Sequence, residues 1–244
     1  MKNQTKSPMK IQSLQFEALN FGYEGQDLLF DRADFDFPLN EVVWVKASSG
    51  AGRSSLLQLM AGLQLPMQGK YLINSQNVAE MSFEEFLPLR MSIGYGFDFG
   101  GLINNRTLME NVTLPLEYHK ICSRKEAIQR GSEIFHKLGA SKFKDQRPAL
   151  VPGGVRKLTC LIRAIITEPE LILLDDPSVG VGQETILKYF DLIGDLRKKG
   201  KAHHIFVSSF DEKLMSCVKH EEIFIDCGQI HKDVLDGEKK VVSL

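Results

Sequence analysis

Ala47-Ser48-Ser49-Gly50-Ala51-Gly52-Arg53-Ser54-Ser55 decides how the chain folds. Before it comes Val42-Val43-Trp44-Val45, an apolar run that reads as a buried strand. After it, Leu56, Leu57, Met60 and Leu63 fall at the spacing of one helix face. Strand, glycine-rich loop and helix together wrap backbone N–H groups around a phosphate and aim a helix N-terminus at it. The phosphate-loop pattern is G-x-x-x-x-G-K-[ST]. Gly52 and Ser54 fit it, whereas Ala47 stands for the first glycine and Arg53 for the lysine. Alone, the loop reads equally as an ordinary turn of small residues.

The composition narrows the class. Thirty basic residues face 31 acidic ones, so no global basic footprint for nucleic acid exists. Cys122, Cys160, Cys217 and Cys227 are scattered without a C-x-x-C pair, which predicts buried free thiols rather than zinc or disulfides. No apolar stretch is long enough to span a bilayer, and Leu158–Ile166 is interrupted by Arg163. The N-terminus carries Lys2, Lys6 and Lys10 without an apolar core segment, which reads as a mobile tail over 1–10 and not a secretory signal. A cytoplasmic protein is expected, with 11–244 as one domain.

Working outward, Leu14–Tyr23 and Ala33–Phe37 read as strands. In the second, Ala33, Phe35 and Phe37 alternate with Asp34 and Asp36, which predicts a half-buried strand with solvated carboxylates. Gly69–Asn74 with Asn77-Val78 suggests a hairpin, and Ile93–Phe97 another strand. Ser123-x-x-Glu126 is a capping box. It opens a helix with Ala127, Ile128, Ile134, Phe135 and Leu138 inward, ended by Gly139. A helical subdomain over about 100–165 follows from this periodicity. Val151-Pro152-Gly153-Gly154-Val155 opens a further helix. Leu171-Ile172-Leu173-Leu174-Asp175-Asp176 is apolar on both faces and ends in two carboxylates, as a central parallel strand at a ligand-binding edge would. A helix from about Gln183, a strand at Ile205–Val207 and a hairpin around Asp226-Cys227-Gly228 complete the chain.

The order of these motifs resembles the ATP-binding subunit of ABC transporters, over nearly the whole chain. Phe97-Asp98-Phe99-Gly100-Gly101-Leu102-Ile103-Asn104-Asn105-Arg106-Thr107, with Glu110-Asn111-Val112, Pro115-Leu116 and Val179-Gly180, looks like the Mce-associated, MlaF-like members that serve bacterial lipid transport; LolD-like and FtsE-like members carry similar segments. The resemblance implies an α/β phosphate-loop domain with an N-terminal antiparallel β subdomain and an inserted helical subdomain. It also implies ATP and Mg²⁺ as cofactors, a permease in the inner membrane as partner, peripheral attachment through that permease, and a homodimer or a heterodimer with an intact ATP-binding subunit.

Carried over by position, the resemblance makes Tyr23 the adenine-stacking aromatic. Ser49, Gly50, Ala51, Gly52, Arg53, Ser54 and Ser55 form the phosphate loop, with Ser54 a Mg²⁺ ligand. Asp98 stands at the family's glutamine, near metal and partner. Pro152, Gly153 and Gly154 stand in the L-S-G-G-Q signature. Asp175 holds hydrated Mg²⁺, Asp176 replaces the catalytic glutamate, Gly182 replaces the D-loop aspartate, and Ser209 replaces the switch histidine. Guanidinium is planar and bulky where lysine is a compact charge. Aspartate is one methylene short, and a misplacement of about 1 Å can cost on the order of 100-fold in rate. Serine has no near-neutral pKa. The expectation is weak nucleotide binding with little or no hydrolysis. A slow but working ATPase and a nucleotide-independent docking subunit are the alternatives. Lys46 reads as a solvated strand-end charge or as a second cation near the loop.

Overall fold

The computed structural model describes residues 9–98 and 101–232. Residues 1–8 of the tail expected over 1–10, Phe99 and Gly100, and the chain after 232 lie outside the described residues.

The chain opens with strands β1 (Leu14–Gly22) and β2 (Leu28–Asp36) and returns through β3 (Val42–Ala47) to helix α1 (Arg53–Met60). Strands β4 (Gln68–Ile73) and β5 (Gln76–Asn77) follow, then α2 (Phe83–Met91) and β6 (Ile93–Gly96). Three helices come next: α3 (Leu108–Tyr118), α4 (Arg124–Lys137) and α5 (Gly153–Ile165). The remainder alternates as β7 (Leu171–Asp175), α6 (Gln183–Lys198), β8 (His204–Ser208), the short α7 (Glu212–Met215), β9 (Glu221–Asp226) and β10 (Gln229–His231).

Two sheets result. One is antiparallel, in the order β2-β1-β4-β5. The other runs β10-β9-β3-β8-β7-β6, parallel except for the β9–β10 hairpin. Alternation along the parallel strands divides the core into two layers. Val43, Val45, Leu171, Leu173 and Phe206 face α1 and the antiparallel sheet, while Val42, Trp44, Ile172, Leu174 and Val207 face α3–α6. Helices α3 and α4 begin on reciprocal capping boxes, Thr107 with Glu110 and Ser123 with Glu126. Among the described residues no helix is long and apolar enough to cross a membrane.

Several expectations need correction. Gly62, at φ 64°, stops the helix just after Met60, so Leu63 is exposed rather than on the inner face. Strand β2 begins at Leu28, five residues before the alternating stretch. Ile128 is exposed, and Gly131 takes the inward place beside Met109. Cys217 and Cys227 are exposed thiols, unlike the buried Cys160. Lys46 stays part-exposed near the end of β3, but it is paired: its ammonium lies 3.0 Å from Glu222 and over the Trp44 ring.

Candidate functional site

Strand β3 delivers the loop at its carboxyl end, where β8 and β9 flank it. Gly50 (φ 81°) and Gly52 (φ 98°) take left-handed backbone angles that side-chain-bearing residues rarely adopt, which explains why glycine stands at both. A Cβ on Gly50 would meet nothing within 4 Å, so the loop's outer side is open. Gly52 is the N-cap of α1 and offers no side-chain cap, leaving the first-turn amides for an anion. Tyr23 sits beside this turn, its hydroxyl 3.1 Å from Ser55 Oγ and its ring part-exposed.

Strand β7 delivers two carboxylates to the same edge. Asp175 is 4% exposed. Burial pushes its carboxyl above the usual range, and the Ser54 hydroxyl, donating to Oδ1 at 3.0 Å, opposes that shift. The paired Ser54 and Asp175 oxygens are the hard donors that Mg²⁺ takes. These residues fit a Mg²⁺-bound phosphate.

The next residue breaks the pattern. Asp176 has φ 42°, a strained angle that aspartate tolerates better than bulkier residues do. Its Oδ2 lies 3.6 Å from Arg53 Nη2. The Arg53 guanidinium, 9% exposed as a side chain, stacks on Phe210 with Cζ 3.3 Å from the ring centroid. Its Nη1 is buried without a partner among the described residues. Burial pushes the Arg53 pKa down and the Asp176 pKa up, against the attraction between them, so desolvation outweighs the ion pair on both sides.

Ser209 is buried, but its hydroxyl is engaged in its own loop, accepting from the Asp211 N–H at 3.0 Å. Its carbonyl accepts from the Trp44 indole N–H at 2.9 Å. Asp98 is held by Lys157 of α5, whose ammonium also donates to the carbonyls of Phe97 and Asp175 at 2.9 and 2.6 Å. Burial lowers the Lys157 pKa, opposed by the Asp98 charge. One ammonium thus ties the ends of β6 and β7 to α5.

The fold and the strand–loop–helix with its carboxylate edge match known proteins. The family model described as ABC transporter matches residues 30–179. The chain belongs to that family. The lipoprotein-releasing ATP-binding protein LolD of Chromohalobacter salexigens is 32% identical over 181 residues, 74% of this chain and 76% of that protein. LolD of Pseudoalteromonas translucida is 29% identical over 196 residues, 79% and 84% of the two chains. A dimeric ATP-binding cassette in a post-hydrolysis state, bound to ADP and Pi, superposes with TM-score 0.81 at 22% identity, covering 92% of this chain and all of that one. The fold is that of an ABC ATPase.

At the position expected for the signature, Pro152 caps α5 through its backbone only, and Gly153 and Gly154 form the first turn. A Cβ on Gly154 would lie 2.0 Å from the Gly180 carbonyl, so this turn and the loop after β7 touch backbone to backbone. Asp98, Gly153, Gly154 and Lys157 line one cleft of about 600 Å³. The structure therefore brings Ser54, Asp175, Arg53 and Asp176 together, joins Asp98 to Asp175 through the shared Lys157 ammonium, and puts Asp98 on one cleft with Gly153 and Gly154. Buried Asn111 of α3 accepts from the Ile103 N–H and donates to the carbonyls of Ile103 and Thr107, fastening the loop before that helix. Sequence reasoning missed Trp44, Lys157 and Phe210 as parts of the site. A signal existed for Lys157, a charge within α5 immediately before its run Leu158–Ile162; nothing local marked Phe210.

Proposed function

We propose that the chain is the ATP-binding subunit of an ABC transporter whose nucleotide site binds Mg-ATP weakly and hydrolyses it slowly or not at all. The observation that carries this reading is the Arg53 side chain, turned onto Asp176 and Phe210. In this reading the amides of Gly50–Ser55 cradle phosphate, Tyr23 supports the base, and Ser54 and Asp175 hold Mg²⁺, which would neutralise phosphate charge. The Asp176 carboxylate, which would have to orient the attacking water, is instead held against the Arg53 cation at 3.6 Å, and Ser209, whose hydroxyl accepts from the Asp211 N–H, offers an O–H but no imidazole. The signature at Pro152–Gly154 would serve the site of a second subunit, in a homodimer or beside an intact ATP-binding subunit.

The partner is a permease of the inner membrane, which keeps the chain peripheral on the cytoplasmic side. The subdomain over about 100–165 carries the contact. Supporting it is a groove of about 360 Å³ between α2, β6, α3 and α5, with Tyr118 and Ile121 exposed at its rim and Arg90, His119 and Arg163 in its wall. The cargo class is lipid-linked. The segment Phe97–Thr107, with Glu110–Val112 and Pro115-Leu116, resembles MlaF-like, Mce-associated members, and the LolD relatives are named for a lipoprotein-releasing system. Calorimetric titration with Mg-ATP, beside phosphate release with the permease present, tests the reading. Weak saturable binding with little release is expected. Turnover of roughly 1 per second or more overturns the impaired site, and no binding at millimolar ATP leaves a docking subunit that ignores nucleotide.

A further inference from the structure

Arg53 is the first residue of α1, where the helix dipole disfavours a cation and the free amides await an anion. A long charged side chain at such a place ordinarily reaches for water. This one is 9% exposed. Three neighbours account for its course. The Asp176 carboxylate supplies the counter-charge at 3.6 Å. The Phe210 ring supplies a face at 3.3 Å, although that ring is itself 58% exposed. Trp44 then fixes the loop that carries Phe210, because its indole N–H holds the Ser209 carbonyl at 2.9 Å.

We propose that Arg53 is the built-in occupant of its own site: a clamp of Asp176 and Phe210, positioned by Trp44, holds the guanidinium, and a nucleotide phosphate binds only by drawing Arg53 out of it. This rests on the nucleotide reading above. The clamp is incomplete, since Arg53 Nη1 is buried with no acceptor among the described residues, and a buried donor left unpaired is costly. A phosphate oxygen would satisfy it. Drawing Arg53 away strands the part-buried Asp176 carboxylate beside Asp175, so every gain at the phosphate is offset at the clamp. Weak binding then arises from competition within the chain, not from loss of the cradle.

Two measurements on the full chain test this. Phe210 is exposed, so Phe210→Ala removes the stacking face without opening the core and without changing charge. Mg-ATP affinity by calorimetry should tighten on the order of 5-fold, the equivalent of one guanidinium–aromatic contact. Asp176→Asn should tighten it as well. Urea midpoints of Arg53→Met, Phe210→Ala and the double variant should be non-additive, with Arg53→Lys repeating the cycle if the methionine variant fails to fold. Additive midpoints overturn the clamp. Non-additive midpoints with unchanged or weaker ATP affinity in Phe210→Ala overturn the competition. Non-additive midpoints with no ATP binding in any variant support the clamp and overturn the nucleotide reading alone.

Discussion

Replacing Lys157 with methionine keeps the length and the packing of the stem and removes the ammonium. In the protein that ammonium is 5% exposed and donates to two main-chain carbonyls and one carboxylate. The variant leaves the carbonyls of Phe97 and Asp175 without that donor, at about 1–3 kcal/mol each. The Asp98 side chain is 29% exposed and recovers water, so it adds little. Against this stands relief from burying a charge, visible in the lowered Lys157 pKa. The net expectation is a loss of about 3 kcal/mol, which at 2–4 °C per kcal/mol for a domain of this size lowers Tm by roughly 6–12 °C. Calorimetric melting of wild type and Lys157→Met decides it. A variant as stable as wild type shows that the ammonium's desolvation cancels its three bonds, and that Lys157 does not hold β6, β7 and α5 together.

His204 accepts from the Asn40 N–H through Nδ1, so Nε2 carries the proton towards the Ile11 carbonyl, and burial lowers its pKa. The unfolded chain then takes up the proton first, so stability present above the ordinary value of about 6.5 is lost as pH falls through the lower folded-state value; urea midpoints should fall more between pH 7 and 5 in wild type than in His204→Gln, and equal falls refute it. Single repairs, Arg53→Lys, Pro152→Ser, Asp176→Glu or Ser209→His, should each leave phosphate release with the permease within about 10-fold of wild type, because such residues act as a unit; full activity from one identifies a sole lesion. Asp98→Gln should lower the melting temperature before it helps activity, since it removes the carboxylate beside a buried ammonium; an unchanged Tm refutes it. Ile103→Glu should abolish co-purification with the permease at unchanged Tm, since Ile103 is exposed while Leu102 packs against the helical core; retained binding moves the interface elsewhere.

The parallel sheet was legible because Val42–Val45 and Leu171–Leu174 are apolar on both faces, a pattern that sequence carries locally. The loop's glycines and the Ser54–Asp175 pair were legible for the same reason: each belongs to a short motif with a fixed place on strand or helix. Helix α2 was missed although Ser82-x-x-Glu85 is a capping box, because its start lies after a hairpin and Pro88 interrupts its periodicity. The direction of Arg53 was illegible. Its partners lie 123 and 157 positions further along the chain, and only the parallel order β3-β8-β7 brings them together. The same applies to Trp44, whose ring reads as one more apolar strand residue until its N–H is seen to meet Ser209.

Asn111 has a consequence for timing. By saturating its amide on Ile103 and Thr107 it sets the loop that lines the cleft of Asp98 and Gly153 before any partner arrives. A segment ordered in advance loses little freedom when it docks, so encounter approaches the meeting of two rigid bodies. Association of the kind should run in the ordinary range of about 10⁵–10⁷ M⁻¹s⁻¹, without a slow folding step, and the lifetime of the assembly should then be governed by how fast it comes apart. An Asn111→Ala loop, released from its amide, should meet the permease more slowly even where the contacts finally made are the same.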